Sequence, residues 1–365
     1  MASLSTAVVE PGPGPARLFT EFPPRRPADA GGRARFFDEV RGLYLLWMVY
    51  SHALTLAMLA PEHPLVALWP RGWATTGFVM LTGFVLGTRS EATAWSPSAR
   101  ARTYRRAAQV AAIAVVSNIL FLLLRGLVEG TLTAASAGAA LSLRMPWSIS
   151  AILLPTAGII VLAPTLQRIT MRTGPPLAFA TVLAVVTSIE LTAQYGPREL
   201  RTILSFGMTE PGYVYFPVLT LLRLAILSYA WGALVISRAA PLGYVHGALA
   251  AGALVLTARS WIAWPVMFIQ LSQFAAVIGG MSTLVVTPRL AAPGRWLALL
   301  GGRAALLLFI AHRVLLQASV RAFDAWLSSE AMLAALVTTT VAGCALLAVL
   351  RGRPEVGDRL RAIGL

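Results

Sequence analysis

His52 and His312 are the side chains best suited to move a proton, because imidazole changes charge near neutral pH. His52 lies in DEVRGLYLLWMVYSHALTL, eleven residues after Arg41. At the helical rise this is roughly 16 Å. His312 lies about fifteen residues into the run that contains GGRAALLLFIAHRVLL, or roughly 22 Å along a helix. If both helices start on the same side of a membrane, the two imidazoles sit at similar depth and can line one cavity. The alternative is two unrelated packing residues. Arg313, next to His312, needs a counter-charge or a water-filled cavity at such a depth.

Arginines form the second group with chemistry. Asp38, Arg41 and Gly42 stand at the mouth of the first apolar helix. In RARTYRRAAQV, Arg102 and Arg106 are four apart and share one face if the stretch is helical; Arg105 adds a third donor set. Guanidinium forks suit phosphate, so the segment can grip a phosphorylated carrier; otherwise it is ordinary loop charge. Glu190 and Arg223, on successive helices, fall within roughly 6 Å in depth and read as a structural ion pair rather than a substrate contact. No metal site is expected, with four histidines and a single cysteine, Cys344, which reads as a small apolar filler. No nucleophile elbow, phosphate-binding loop or dinucleotide fingerprint occurs in a usable context.

The elements that must position these groups follow from composition. Hydrophobic residues make up 57% of the 365 and charged residues 12%, about half the charged share of a soluble domain. Mean hydropathy is +0.71. The expected fold is an all-α polytopic membrane protein of about ten transmembrane helices in one bundle. The runs are 39–60, 72–89, 107–124, 146–166, 176–195, 214–237, 241–257, 262–284, 297–320 and 331–350, each near the length of a span. Their uniform apolarity favours helices over barrel strands, which alternate. Residues 1–33 form a Pro- and Arg-rich tail without a signal-peptide core, residues 34–350 the membrane domain, and 351–365 a second tail.

Every one of the thirty basic residues is arginine, and the net charge is +15. With a cytoplasmic N-terminus, twenty-one arginines fall on the cytoplasmic side and seven outside, with Arg223 and Arg313 inside spans. The positive-inside rule therefore supports an even helix count with both termini in the cytoplasm. Charge dispersed between apolar runs speaks against nucleic-acid binding. Trp69, Trp73, Trp95, Trp147, Trp261 and Trp296 fall near span ends, where an aromatic belt is expected.

Together these segments resemble the OpgC-type branch of the acyltransferase-three superfamily of integral membrane acyltransferases. DEVRGLYLLWMVYSHA resembles its opening, with Arg41 and His52 at its Arg-to-His spacing. GWATTGFVMLTGFVLGTR resembles its second helix, with Thr82-Gly83. RTYRR resembles its Arg-x-x-x-Arg, at Arg102 and Arg106. MPWSISAILLPTAGIIVLAPTL resembles its fourth helix and LGGRAALLLFIAHRVLL its late Gly-Arg and His helix. The likeness runs through most of 34–350; the tail and the middle diverge.

The resemblance implies an inner-membrane enzyme. It would move an acyl group, succinyl in that branch, from cytoplasmic acyl-CoA to a sugar hydroxyl of an extracytoplasmic glucan. His52 would be the general base, with His312 assisting. Arg102, Arg105 and Arg106 would hold the carrier phosphates, and Arg41 the carrier or the mouth. No permanently bound cofactor is implied. A transporter or flippase would use the same buried polar groups but would usually show an internal repeat and broken helices. Prolines 155, 164, 217 and 265 occur in or near spans without a convincing repeat. A scaffold that has lost activity is the third reading.

Overall fold

The computed structural model describes residues 35–60, 62–67, 73–89, 96–130, 133–141, 148–195, 197, 218–237, 266–286, 291–302, 304–323 and 327–357. All regular structure among them is helical. The helices are α1 (Phe36–Leu56), α2 (Pro64–Ala67), α3 (Trp73–Thr88), α4 (Pro97–Glu129), α5 (Ala134–Leu141), α6 (Ser148–Thr173) and α7 (Pro175–Tyr195). They continue with α8 (Val218–Ile236), α9 (Val266–Val286), α10 (Ala291–Gly301), α11 (Ala305–Phe323) and α12 (Ser329–Gly352).

The polarity of these helices is that of a membrane protein. Among the described residues, four stretches are long and apolar enough to cross a bilayer: Pro97–Leu123, Ile152–Thr173, Ala305–Phe323 and Ser329–Gly352. Val116, Leu120, Val161, Val185, Val314 and Leu346 are exposed on their outward faces, whereas Asn118, Gln167, Ser228, His312 and Thr340 are buried. Water would favour the reverse, whereas lipid favours apolar side chains outside and polar ones inside, where they can find partners.

Small residues set the closest helix approaches. A Cβ at Gly83 would collide with the Ala225 carbonyl, one at Gly87 with the Tyr229 carbonyl, and one at Gly232 with the Phe84 carbonyl. These glycines let α3 and α8 pack backbone to backbone, the usual solution in lipid, where apolar burial alone drives little association. Ser228 Oγ adds an interhelical hydrogen bond, donating to the Met80 carbonyl at 2.7 Å. Beside this pair, Phe84, Trp231 and Phe274 meet edge to face, with centroids 5.2–5.7 Å apart. They are part of the largest buried cluster, built from α1, α3, α4, α6, α7, α8, α9 and α11.

The boundaries differ from the apolar runs in three informative places. The run at 107–124 begins ten residues earlier, as α4. Ser96 caps it, accepting from the Ala99 N–H at 3.2 Å, and Pro97 supplies a pre-set first turn. Its 33 residues extend to about 48 Å, more than the roughly 30 Å of hydrocarbon. Arg100, Arg102, Arg105 and Arg106 therefore lie on helix, in its first three turns. The run at 146–166 continues to Thr173, carrying Arg168 and Arg172 with it. It stops at Gly174, whose φ of +81° ends the helix before Pro175 starts α7, so the expected loop shrinks to one residue.

The run at 297–320 is not one helix. It divides into α10 and α11 at Gly302–Ala304. α10 packs on the N-terminal half of α1: a Cβ at Gly42 would strike the Leu297 carbonyl, and one at Gly301 the Asp38 carbonyl. The runs at 39–60, 72–89, 176–195, 214–237, 262–284 and 331–350 correspond to α1, α3, α7, α8, α9 and α12, with shifted ends. The run at 241–257 and the tail at 1–33 lie outside the described residues, as do Trp69, Trp95, Trp147 and Trp261. At the C-terminal end, the buried Arg351 donates from Nη1 to the Gly357 carbonyl at 3.0 Å, so the start of the expected tail is folded back onto the helix end.

Candidate functional site

The structure brings His52 of α1 and His312 of α11 face to face. Their ring centroids are 5.6 Å apart and their planes 14° from parallel. The rings are stacked, and neither nitrogen of His312 is hydrogen-bonded to His52: Nδ1 is on the Leu308 carbonyl and Nε2 has no partner among the described residues. The positions of the two rings along their helices differ from those expected from the sequence. α1 starts at Phe36, which puts His52 about 24 Å along it rather than 16 Å; α11 starts at Ala305, which puts His312 only about 10 Å along it. Between α10 and α11 the Ala305 N–H donates to the Gly302 carbonyl at 3.1 Å, a turn that separates the two helices.

His312 is fully buried. Its Nδ1 lies 3.3 Å from the Leu308 carbonyl. A carbonyl only accepts, so Nδ1 carries the hydrogen and a neutral ring keeps its lone pair on Nε2. That Nε2 is buried and has no hydrogen-bond partner among the described residues. Phe309 packs edge-on to the ring at 5.9 Å and is itself held by Phe78 of α3 at 5.2 Å. His52 is only half-buried, so it is the more accessible member of the pair. The Arg313 guanidinium lies close enough to act electrostatically on both rings. The site thus holds two imidazoles, one with a fixed hydrogen, beside a cation. Such a group can take a proton from a hydroxyl and steady a developing negative charge.

Nearer the start of α1, Arg41 Nη1 donates to Asp38 Oδ1 at 2.8 Å. The Asp38 carboxylate also lies beside the α10–α11 break, 3.8 Å from where a Cβ at Gly302 would be. The mouth of α1 is therefore an acid–base pair at an interrupted helix. Arg102, Arg105 and Arg106 lie elsewhere: they are exposed on the first turns of α4, which packs chiefly on α6. Glu190 is within α7, but its side chain lies outside the described residues, and so does the expected ion pair. Arg223 of α8 donates from Nη2 to Thr220 Oγ1 at 2.8 Å. Cys344 is buried, and among the described residues no group of three or more His, Cys, Asp or Glu could hold a metal ion.

One contact has no counterpart in the sequence pattern. His63, in the turn before α2, accepts from the Leu65 N–H on Nδ1 at 3.2 Å. This leaves Nε2 to donate to Glu330 Oε1 of α12 at 3.4 Å. It links the segment after α1 to the start of α12. Nothing in the spacing marks it, because the partners are 267 residues apart. No family model, no curated protein and no solved structure matches the chain.

Proposed function

We propose that this protein is an integral membrane O-acyltransferase of the OpgC type, moving an acyl group from cytoplasmic acyl-CoA to a hydroxyl of an extracytoplasmic glucan. The observation that carries the reading is the stacked His52–His312 pair inside a helical membrane protein. A half-buried imidazole stacked on a fully buried one is a costly arrangement for packing alone, and polar groups at membrane depth are functional by default. The proposed topology is ten spans, with both termini cytoplasmic and the protein in the inner membrane; the arginine distribution supports it.

In this reading His52 takes the proton from the acceptor hydroxyl as its oxygen attacks the thioester carbonyl. The C–S bond then breaks, and the imidazolium returns the proton to the departing thiolate. Arg313 steadies the oxyanion between these steps. His312, held through Nδ1, fixes the His52 ring by stacking. Arg102, Arg105 and Arg106 hold the carrier phosphates at the cytoplasmic surface, and the Asp38–Arg41 pair lines the entrance. The direct test incubates purified protein with succinyl-CoA and a neutral β-glucan oligosaccharide and follows release of free thiol. Acceptor-dependent release supports the reading; release no faster than without protein refutes it.

A carrier or flippase is the second reading. The observation in its favour is the interruption between α10 and α11, since broken helices at buried polar sites are common in transporters. Uptake of labelled glucan into vesicles without acylation would select it.

A further inference from the structure

Thr340 of α12 is 0% exposed, and its Oγ1 has no hydrogen-bond partner among the described residues. Threonines inside helices usually give their hydroxyl to the carbonyl one turn back. In this protein Thr55, Thr82, Thr156, Thr173 and Thr192 all do so, each donating to the carbonyl four residues earlier at 2.7–3.2 Å. Thr340 departs from that pattern. A hydroxyl that is buried and not spent on its own backbone costs free energy, so it calls for a partner on a neighbouring helix.

The packing of α11 on α12 locates that partner. Leu308 of α11 shares one buried cluster with Cys344 and Ala348 of α12. Leu316 of α11 shares another with Leu333 and Leu336. His312 stands four residues from Leu308 and four from Leu316, on the same helix face. Thr340 stands four residues from Leu336 and four from Cys344, again on one face. The two helices run antiparallel, so His312 and Thr340 occupy the same level, between the two apolar clusters. The helices are close beside this level: a Cβ at Gly343 would lie 2.9 Å from Leu315 Cδ1.

The chemistry of the two side chains is complementary. His312 Nδ1 is committed to the Leu308 carbonyl, so a neutral ring has only a lone pair to offer at Nε2. That buried atom also lacks a partner among the described residues. Thr340 carries a neutral donor. The two groups are not hydrogen-bonded to each other as placed. However, a helical threonine has two χ1 wells open to it, and its hydroxyl changes direction between them without moving the backbone.

We propose that Thr340 is a positioning residue of the histidine site, its hydroxyl donating to His312 Nε2 and so fixing the ring on which His52 stacks. With both nitrogens of His312 engaged, that ring holds one tautomer and one plane. Its lone pair is then occupied and cannot compete for the acceptor's proton, which leaves His52 as the base. This last consequence rests on the acyl-transfer reading; the hydrogen bond itself does not.

The test is nitrogen magnetic resonance on the full-length protein in lipid vesicles, labelled at the histidine rings, with His312→Phe used to assign the His312 signals. In Thr340→Val the Nε2 resonance should move to the position of a ring nitrogen that accepts no hydrogen bond, and Thr340→Ser should restore it. Acyl transfer should fall about tenfold in kcat in Thr340→Val, the worth of one hydrogen bond, with KM unchanged, and recover in Thr340→Ser. Should the valine variant not accumulate, Thr340→Ala gives the same readout. An Nε2 resonance identical in wild type and the variant lacking the hydroxyl overturns the proposal, whatever the rate does. A resonance that moves and is restored by serine, in a protein that transfers no acyl group, upholds the hydrogen bond and removes the acyl-transfer reading.

Discussion

At the scale of single residues, the two imidazoles have different duties in the proposed chemistry. His52 is the accessible ring and His312 the buried one, with Nδ1 committed to Leu308. His52→Ala should lower acyl transfer by about 100- to 10,000-fold, the usual worth of a general base, while the protein still inserts and binds acyl-CoA. His312→Phe should behave differently. A phenyl ring preserves the stack and removes the orphaned Nε2, but it gives up the Nδ1 contact with Leu308, so stability should change little while transfer falls by less than in His52→Ala. Thermal unfolding and rate measurements on the same preparation check both; equal losses in the two variants would contradict the division of labour.

The identities of these histidines were legible in the sequence, because ionisable groups in apolar runs are few. Their stacking was not, since it depends on where α11 starts. The His63–Glu330 contact and the orphaned Thr340 hydroxyl were illegible for a related reason: both are products of tertiary approach with no local spacing to mark them.

At the scale of helices, legibility followed contrast. α1 and α3 begin and end within about four residues of the apolar runs, because each is bounded by charge or by breakers. The α10–α11 division was hidden, because Gly301 and Gly302 interrupt a run that stays apolar on both sides, and glycine is common inside membrane helices. The α4 extension was hidden because helical arginines and loop arginines look alike in hydropathy.

Two predictions belong at this scale. Gly83→Val should destabilise the protein by about 1–3 kcal/mol or more, the cost of overpacking a tight contact, because its Cβ has no room beside the Ala225 carbonyl. Gly280→Ala, inside α9 with nothing within 4 Å of its added Cβ, should hold or raise the unfolding temperature in the same scan, because alanine favours helix over glycine. Replacing Arg102 and Arg106 together by Gln should weaken acyl-CoA binding without changing stability, because both are exposed on the first turns of α4. Unaltered calorimetric binding would leave these arginines as determinants of topology alone.

For the whole molecule, an apolar exterior around buried polar side chains makes this a helical membrane protein, and composition alone pointed there. The count of spans and their direction rest on arginine placement. Reporter fusions after residues 62 and 365 should therefore report opposite faces of the membrane; the same face for both would break the proposed topology.

Acyl transfer dependent on His52 is tested by mass spectrometry of extracytoplasmic glycans. The cells to compare carry the wild-type protein, His52→Ala at equal abundance, or neither. Ester-linked acyl adducts are expected with the wild type, reduced to the level of the protein-free cells by His52→Ala. Glycans identical in all three, or adducts undiminished in His52→Ala, would contradict it.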